Sequence, residues 1–421
     1  MRSRLLVSVG LTLAMLTAAC GTEAEQVQPP GEAERGAVPV DVELVGELSD
    51  SDAVELARSV NAFGFDLQAA LMAGEQGGNV VTSPLSVATL LAMVAVGAGG
   101  ETAEQMATVL YLDDVRDDRF AALLRAVSDT DDVVVSVANA LWANEGTPFE
   151  EDYLSFVRDV FGATAEEAPL GEQATADEID AWVTERTEGL IEEIAADLGL
   201  PDANAVLVLL NAVYFLGQWS VQFDPELTND QPFTLADGSE VDVPTMYRPS
   251  TPDEPAQIAR RDGYEVLRLP YGEDERFAMD VFLPAPEHDT TWMIGQLDVD
   301  ERAAALAAFE ETALDVRLPS FELEWNATLN DTLIALGMEL PFSGAADFSA
   351  MSPANPFLGT VVHKTYIRVD EEGTEAAAVT GGSMLTSMPP SFTADRPFVF
   401  TISDTQTDTV VFLGTVEDPR G

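Results

Sequence analysis

Residues 373–392, GTEAAAVTGGSMLTSMPPSF, form a long stretch of small residues with a single charge, Glu375, set between two runs that read as β-strands. The run before it, 361–369 (VVHKTYIRV), is β-branched and aromatic. The run after it, 397–412, carries PFVFTISD and TVVFLG around a polar Asp404-Thr405-Gln406 turn. A connection of more than about 15 residues with no structure of its own is uncommon in a compact domain and marks a functional loop or a linker. A linker would be rich in Glu, Lys, Ser and Pro. Here the acidity of the chain stops at Glu375 and does not resume until Asp395. If the stretch became an interior strand, alternate residues would face opposite sides. The even series is Thr374, Ala376, Ala378, Thr380, Gly382, Met384 and Thr386, none charged and most small, while Glu375 falls on the odd series, facing water. The loop reads as a strand held in reserve.

With 421 residues and 46% hydrophobic content, the chain can bury a sizeable core in one large or two ordinary domains. A formal net charge of −54 excludes nucleic acid and anionic lipid surfaces as partners, because both need patches of Lys and Arg. Lys364 is the only lysine. Such an acidic, lysine-poor composition fits a high-GC, salt-adapted source and bears on solubility more than on chemistry.

Residues 1–20 have the charge, apolar core and small-residue end of a signal peptide, so export is expected. Thr17-Ala18-Ala19-Cys20-Gly21 resembles a bacterial lipobox, which would make Cys20 an acylated first residue of the mature protein, although Thr17 stands where leucine is usual. The expected location is then the outer face of the cell membrane, held only through a lipid anchor; the alternative is secretion with Cys20 removed. Cys20 is the single cysteine, so no disulfide can form within the folded domain. Residues 21–50, acidic and dotted with Pro and Gly, read as a flexible tether.

From 51 onward the pattern is that of one large domain, 51–421, without internal repeat. Val54, Leu56, Val60, Phe63, Leu67 and Leu71 mark an amphipathic helix capped by Ser51 or Asp52. Ser83 fits the N-cap and Pro84 the first position of a buried helix through Val96. Helices are predicted near 103–110, 118–127, 153–161, 177–194 and 301–309, with strands near 133–141 and 206–214. The last third, including 266–269, 278–283 and 315–318, reads as strand. Helices first and strands later give an α+β class with a large mixed or antiparallel sheet.

Seven motifs, in one order along the chain, resemble those of the serpins. They are Asn79-Val80-Val81-Thr82-Ser83-Pro84-Leu85-Ser86, Asn211-Ala212-Val213-Tyr214-Phe215 with its flanks, Val316-Arg317-Leu318-Pro319-Ser320-Phe321, Leu336-Gly337-Met338 with Asp347-Phe348-Ser349, Val362-His363-Lys364, Glu371-Glu372-Gly373-Thr374-Glu375-Ala376-Ala377-Ala378, and Arg396-Pro397-Phe398-Val399-Phe400. The resemblance implies the serpin fold: a large central mixed β-sheet with additional sheets, N-terminal helices and an exposed reactive-centre loop.

It also implies a monomeric suicide substrate for serine and sometimes cysteine proteases, joined to them in a covalent 1:1 complex when the cut loop inserts into the central sheet. The hinge would be Gly373, Thr374, Glu375, Ala376, Ala377, Ala378, Val379 and Thr380. Counting from Gly373 puts the bait bond at Ser387-Met388, and counting back from Pro397-Phe398 puts it one residue earlier, at Thr386-Ser387. Ser387 and Thr386 suit elastase- or subtilisin-like pockets, Leu385 or Met384 chymotrypsin-like ones, and no nearby Arg or Lys suits trypsin. The sheet-opening or shutter region carries over to Ser83, Ser86, Asn211 and His363.

No enzyme of its own is expected: the sequence holds no G-x-S-x-G elbow, no H-E-x-x-H and no phosphate-binding glycine loop. No cofactor is expected. The Asp pairs at 113–118 and 129–132 lack calcium-loop spacing, so no metal site is expected either. The competing reading is a serpin-fold binding or chaperone protein that traps nothing.

Overall fold

The computed structural model describes residues 48–74, 78–113, 119–128, 133–373 and 390–421, all within the compact unit Val40–Gly421. Three sheets organise it. The central one has five strands in the order Phe321–Thr328, Val362–Val369, Leu207–Gly217, Val133–Asn144 and Thr164–Ala168. A seven-stranded antiparallel sheet runs from Val80–Thr82 through Thr409–Val416, Phe398–Asp404, Phe277–Pro284, Tyr264–Tyr271 and Ala256–Arg261 to Glu310–Thr312. A four-stranded sheet joins Ser391–Thr393, Asp315–Pro319, Glu240–Arg248 and Asn229–Thr234. Among the described residues, six helices from Asp50–Gly74 to Gln173–Arg186 precede most of the strands, so the class is α+β.

Alternation along Leu207–Gly217 explains how one strand serves two cores. Leu209, Val213 and Phe215 join the main core behind the central sheet, while Val208, Leu210 and Ala212 pack on its front with Ile191, Ile194 and Leu198. The helix Pro84–Ala95 lies in the main core with every residue buried, packed against both Leu207–Gly217 and Thr409–Val416. Nine of its twelve residues are Leu, Val, Met or Ala, an all-round apolar pattern that only a fully covered helix can carry.

Three local expectations are corrected. The first helix spans Asp50–Gly74 and is capped by Ser49, whose Oγ accepts the Asp52 N–H at 3.2 Å, two to three residues ahead of the predicted cap. The helix expected to run from 177 to 194 is Gln173–Arg186. Beyond it Thr187 Oγ1 donates to the Val183 carbonyl and accepts the Ile191 N–H, and Glu188 and Gly189 take positive φ, which turns the chain off the helix axis. Its continuation, 187–200, lies over the front of the central sheet, held by Asp180 Oδ1 accepting the N–H groups of Ile194 and Ala195, both at 2.8 Å. Third, Ser83 precedes its helix in extended conformation but makes no side-chain cap bond. Its backbone is spoken for elsewhere, as the site shows.

Candidate functional site

The central sheet has one weak joint. Val362–Val369 pairs antiparallel with Phe321–Thr328 at eight consecutive positions, and Leu207–Gly217 pairs antiparallel with Val133–Asn144 at eleven. Between these two ladders, Val362–Val369 and Leu207–Gly217 run parallel and pair only at Lys364 with Ala212 and Thr365 with Val213, with one further bridge from Leu209 to Val361. Parallel pairing is also slightly less stable per residue than antiparallel. The seam is therefore closed by a few rungs at its middle and lower end.

Behind those rungs lies a buried polar cluster. His363 Nε2 accepts the Ser83 N–H at 2.9 Å. Ser86 Oγ donates to Asn211 Oδ1, and Asn211 Nδ2 donates to Asn139 Oδ1 at 2.7 Å. Thr365 Oγ1 donates to the Val81 carbonyl at 2.9 Å. The structure thus brings Ser83, Ser86, Asn211 and His363 together, from a helix start and the two strands that flank the seam. Burial pushes the His363 imidazole down to about 3, so it is neutral, its proton on Nδ1 and Nε2 free to accept. His363 Nδ1 and Ser83 Oγ are buried without a hydrogen-bond partner among the described residues. Sequence reasoning missed Asn139 and Thr365, which sit in strands of unremarkable pattern; only cross-strand register places Asn139 opposite Asn211.

The front of the seam is held by Lys364. Its Nζ donates to the Glu193 carbonyl at 3.0 Å, pairs with Glu324 Oε1 at 2.9 Å and reaches Asp197 at 4.0 Å. One strand is thereby tied to the 187–200 segment that covers it.

At the upper mouth the chain turns back. Gly373 and Asp370 form an antiparallel bridge, and Gly373 also bridges antiparallel to Gln218, just past the end of Leu207–Gly217. The Trp219 N–H donates to the Glu372 carbonyl at 3.1 Å, the Trp219 indole to the Asp370 carbonyl at 2.9 Å and the Phe223 N–H to the Glu371 carbonyl at 2.9 Å. Trp219 is fixed in turn by stacking on Tyr271 at 4.2 Å. Gly373 has φ +101°, and a Cβ there would meet Trp219 N at 2.5 Å and the Gly217 carbonyl, so both conformation and space require glycine. Burial raises the Asp370 carboxyl, although Arg368 pairs with it at 3.0 Å.

Of the remaining sequence-predicted site residues, Thr374, Glu375, Ala376, Ala377, Ala378, Val379 and Thr380 of the hinge, and Met384, Leu385, Thr386, Ser387 and Met388 around the bait bond, lie outside the described residues, as does Cys20. His288 closes a turn through its N–H to the Ala285 carbonyl and stacks on Trp292 at 3.8 Å. Among the described residues no group of His, Cys, Asp and Glu is arranged to hold a metal ion.

Residues 58–419 match the family model described as Serpin (serine protease inhibitor). The chain belongs to the serpin family. Among curated relatives, this serpin is 34% identical to the leukocyte elastase inhibitor of Xenopus laevis, over 86% of this chain and 99% of that protein. It is 35% identical to an uncharacterised serpin-like protein of Thermococcus kodakarensis, over 89% of this chain and 88% of that one. Among solved structures it resembles the thermophilic serpin tengpin in its native state, at 26% identity and a TM-score of 0.77, over 86% of this chain and 94% of that one. Uncleaved ovalbumin has the same fold, at 24% identity and a TM-score of 0.78, over 86% of this chain and 100% of that one.

Proposed function

We propose that this serpin inhibits serine proteases as a suicide substrate, with the loop after Gly373 as bait and the parallel seam as its destination. The observation that carries the reading is the Gly373–Gln218 bridge. The chain has already reversed direction at 370–373 and laid one antiparallel rung against the strand on the far side of the seam. A loop continuing from that rung runs antiparallel to both Val362–Val369 and Leu207–Gly217. Insertion would thus replace one sparse parallel joint with two antiparallel ladders. At about 1 kcal/mol net per ladder bond, a dozen inserted residues would release on the order of 10 kcal/mol.

The chemistry assigned to the protease is attack at Ser387-Met388, or one to two residues earlier, to form an acyl-enzyme; insertion then outruns hydrolysis. The small, uncharged even series from Thr374 onward favours rapid insertion, and the seam's polar cluster would be the point where the strands part. Proteases with small, apolar or aromatic-accepting primary pockets are the proposed targets, with cysteine proteases as a secondary class and a monomeric inhibitor as the acting species. We assign residues 1–20 to export, Cys20 to lipid anchoring on the outer face of a bacterial cell, 21–50 to a tether and 51–421 to the inhibitory domain.

The test mixes the mature chain with elastase-, chymotrypsin- and subtilisin-type proteases and resolves the products on a denaturing gel, with mass spectrometry of the released C-terminal fragment. A band at the summed mass supports trapping, and the fragment's first residue fixes the bait bond. Complete loop cleavage with no such band, and no gain in thermal stability on cleavage, would instead identify a non-inhibitory binding protein.

A further inference from the structure

The four-stranded sheet resumes the chain at Ser391–Thr393, directly after the loop, and its register places Thr393, Arg317 and Tyr247 in one row across three strands, on one face. The Arg317 guanidinium lies over the Tyr247 ring at 4.4 Å and, with Leu227, Asn229, Gln231 and Thr245, lines a cleft of about 180 Å³. The chain has 74 acidic and 20 basic side chains, and most of its described arginines hold a carboxylate. Arg317 has no ion pair among the described residues. Asp315, two residues earlier on the same face, is engaged elsewhere: it accepts the Ser250 N–H at 2.8 Å and the Tyr247 hydroxyl at 3.2 Å. The cleft therefore presents a cation fixed by stacking, the Gln231 amide and the second N–H of Asn229, whose first goes to the Leu227 carbonyl at 2.7 Å; the Thr245 hydroxyl is turned to the Val243 carbonyl at 3.1 Å, and no carboxylate is in the lining. That donor set matches a carboxylate.

The position of the cleft says whose carboxylate. Resting on the inhibitory reading, a protease gripping Ser387-Met388 is separated from Thr393 by at most about 18 Å of extended chain. A globular protease of roughly 250 residues has a radius of gyration of about 18 Å, so its body overhangs this sheet. We propose that the Arg317 cleft is a secondary docking site that receives a surface carboxylate of the bound protease. It selects, among proteases whose primary pocket accepts the bait, those with an acidic side chain on the flank that faces the sheet. The overall charge of −54 attracts cationic partners at long range but gives no register. A local arginine cleft supplies one.

The test compares second-order trapping rates of the wild-type mature chain, Arg317→Gln and Asn229→Asp with the same protease panel, at low and high salt. Asn229→Asp places a carboxylate in the cleft while leaving the Arg317–Tyr247 stack intact. Both variants are expected to trap at least one protease about tenfold more slowly at low salt. The gap should close at high salt, with the final yield of covalent complex and the thermal midpoint unchanged. If the wild type traps and either well-folded variant keeps wild-type rates across the panel, the docking site is overturned and the inhibitory reading stands. If the wild type itself forms no covalent band, both fall, a result visible before any variant is made.

Discussion

His363 Nε2 accepts the Ser83 N–H at 2.9 Å, linking a strand at the edge of the seam to the start of the buried helix behind it. The bond requires an unprotonated Nε2; protonation would set one N–H against another in a site without water-like polarity.

That requirement fixes the sign of a pH dependence. Burial holds the folded imidazole's pKa at about 3, below the value near 6.5 of an unfolded chain. Between those values the unfolded state binds a proton that the folded state does not. The stabilisation is complete above about 6.5 and is lost as pH falls toward 3, at about 1.4 kcal/mol per pH unit. Denaturant midpoints measured between neutral and mildly acid pH should fall more steeply for the wild type than for His363→Gln. Parallel profiles would show that another group controls the acid limb.

Asn211 is the hub of the polar cluster, accepting from Ser86 and donating to Asn139. Asn211→Ala leaves both neighbours buried and unpaired and is expected to cost about 3 kcal/mol. Asn139→Ala removes only one of the two bonds and should cost less. Chemical denaturation of the uncleaved protein orders the two; an equal or reversed order would place the hub elsewhere.

Gly373→Ala forces a Cβ against Trp219 N and the Gly217 carbonyl and strains a backbone at φ +101°. The base of the loop should move off Gln218, removing the first rung. On the gel, the share of protease encounters ending in cleaved, free inhibitor should rise severalfold at the expense of the covalent band. An unchanged partition would separate that rung from trapping.

Facing is tested by a pair of substitutions in the loop. Ala378→Arg falls on the series assigned to the inside of the sheet, whereas Glu375→Arg falls on the series assigned to water. The first should leave cleavage intact and abolish the covalent band through the cost of burying an unpaired charge; the second should leave the band. Equal behaviour of the two would mean that the alternation has no inward side.

The sequence carried the fold because buried strands and buried helices write themselves in apolar runs: 207–217 and 84–95 have almost no polar residue to disguise them. Short exposed strands were not legible. Asn229–Thr234 alternates only weakly and is mostly exposed, and Glu310–Thr312 is three polar residues whose strand state comes from pairing with Ala256–Arg261. The helix predicted to run to 194 stops at Arg186, although Ile191 and Ile194 keep a helical spacing. Both are buried instead by turns packed on a sheet, where tertiary contact overrides local period. Ser83 looked like a cap because the local pattern fits one; its actual bond comes from a residue 280 positions away, which no local pattern can reveal.

A single amine side chain in 421 residues gives the seam an unplanned property. Lys364 is buried, and its ammonium is occupied on the strand side by Glu324 and on the covering side by Glu193. An amine-selective label therefore has one internal address, placed where two strands meet beneath the 187–200 segment. Its rate of attachment would read, residue-specifically and without mutation, how often that segment lifts.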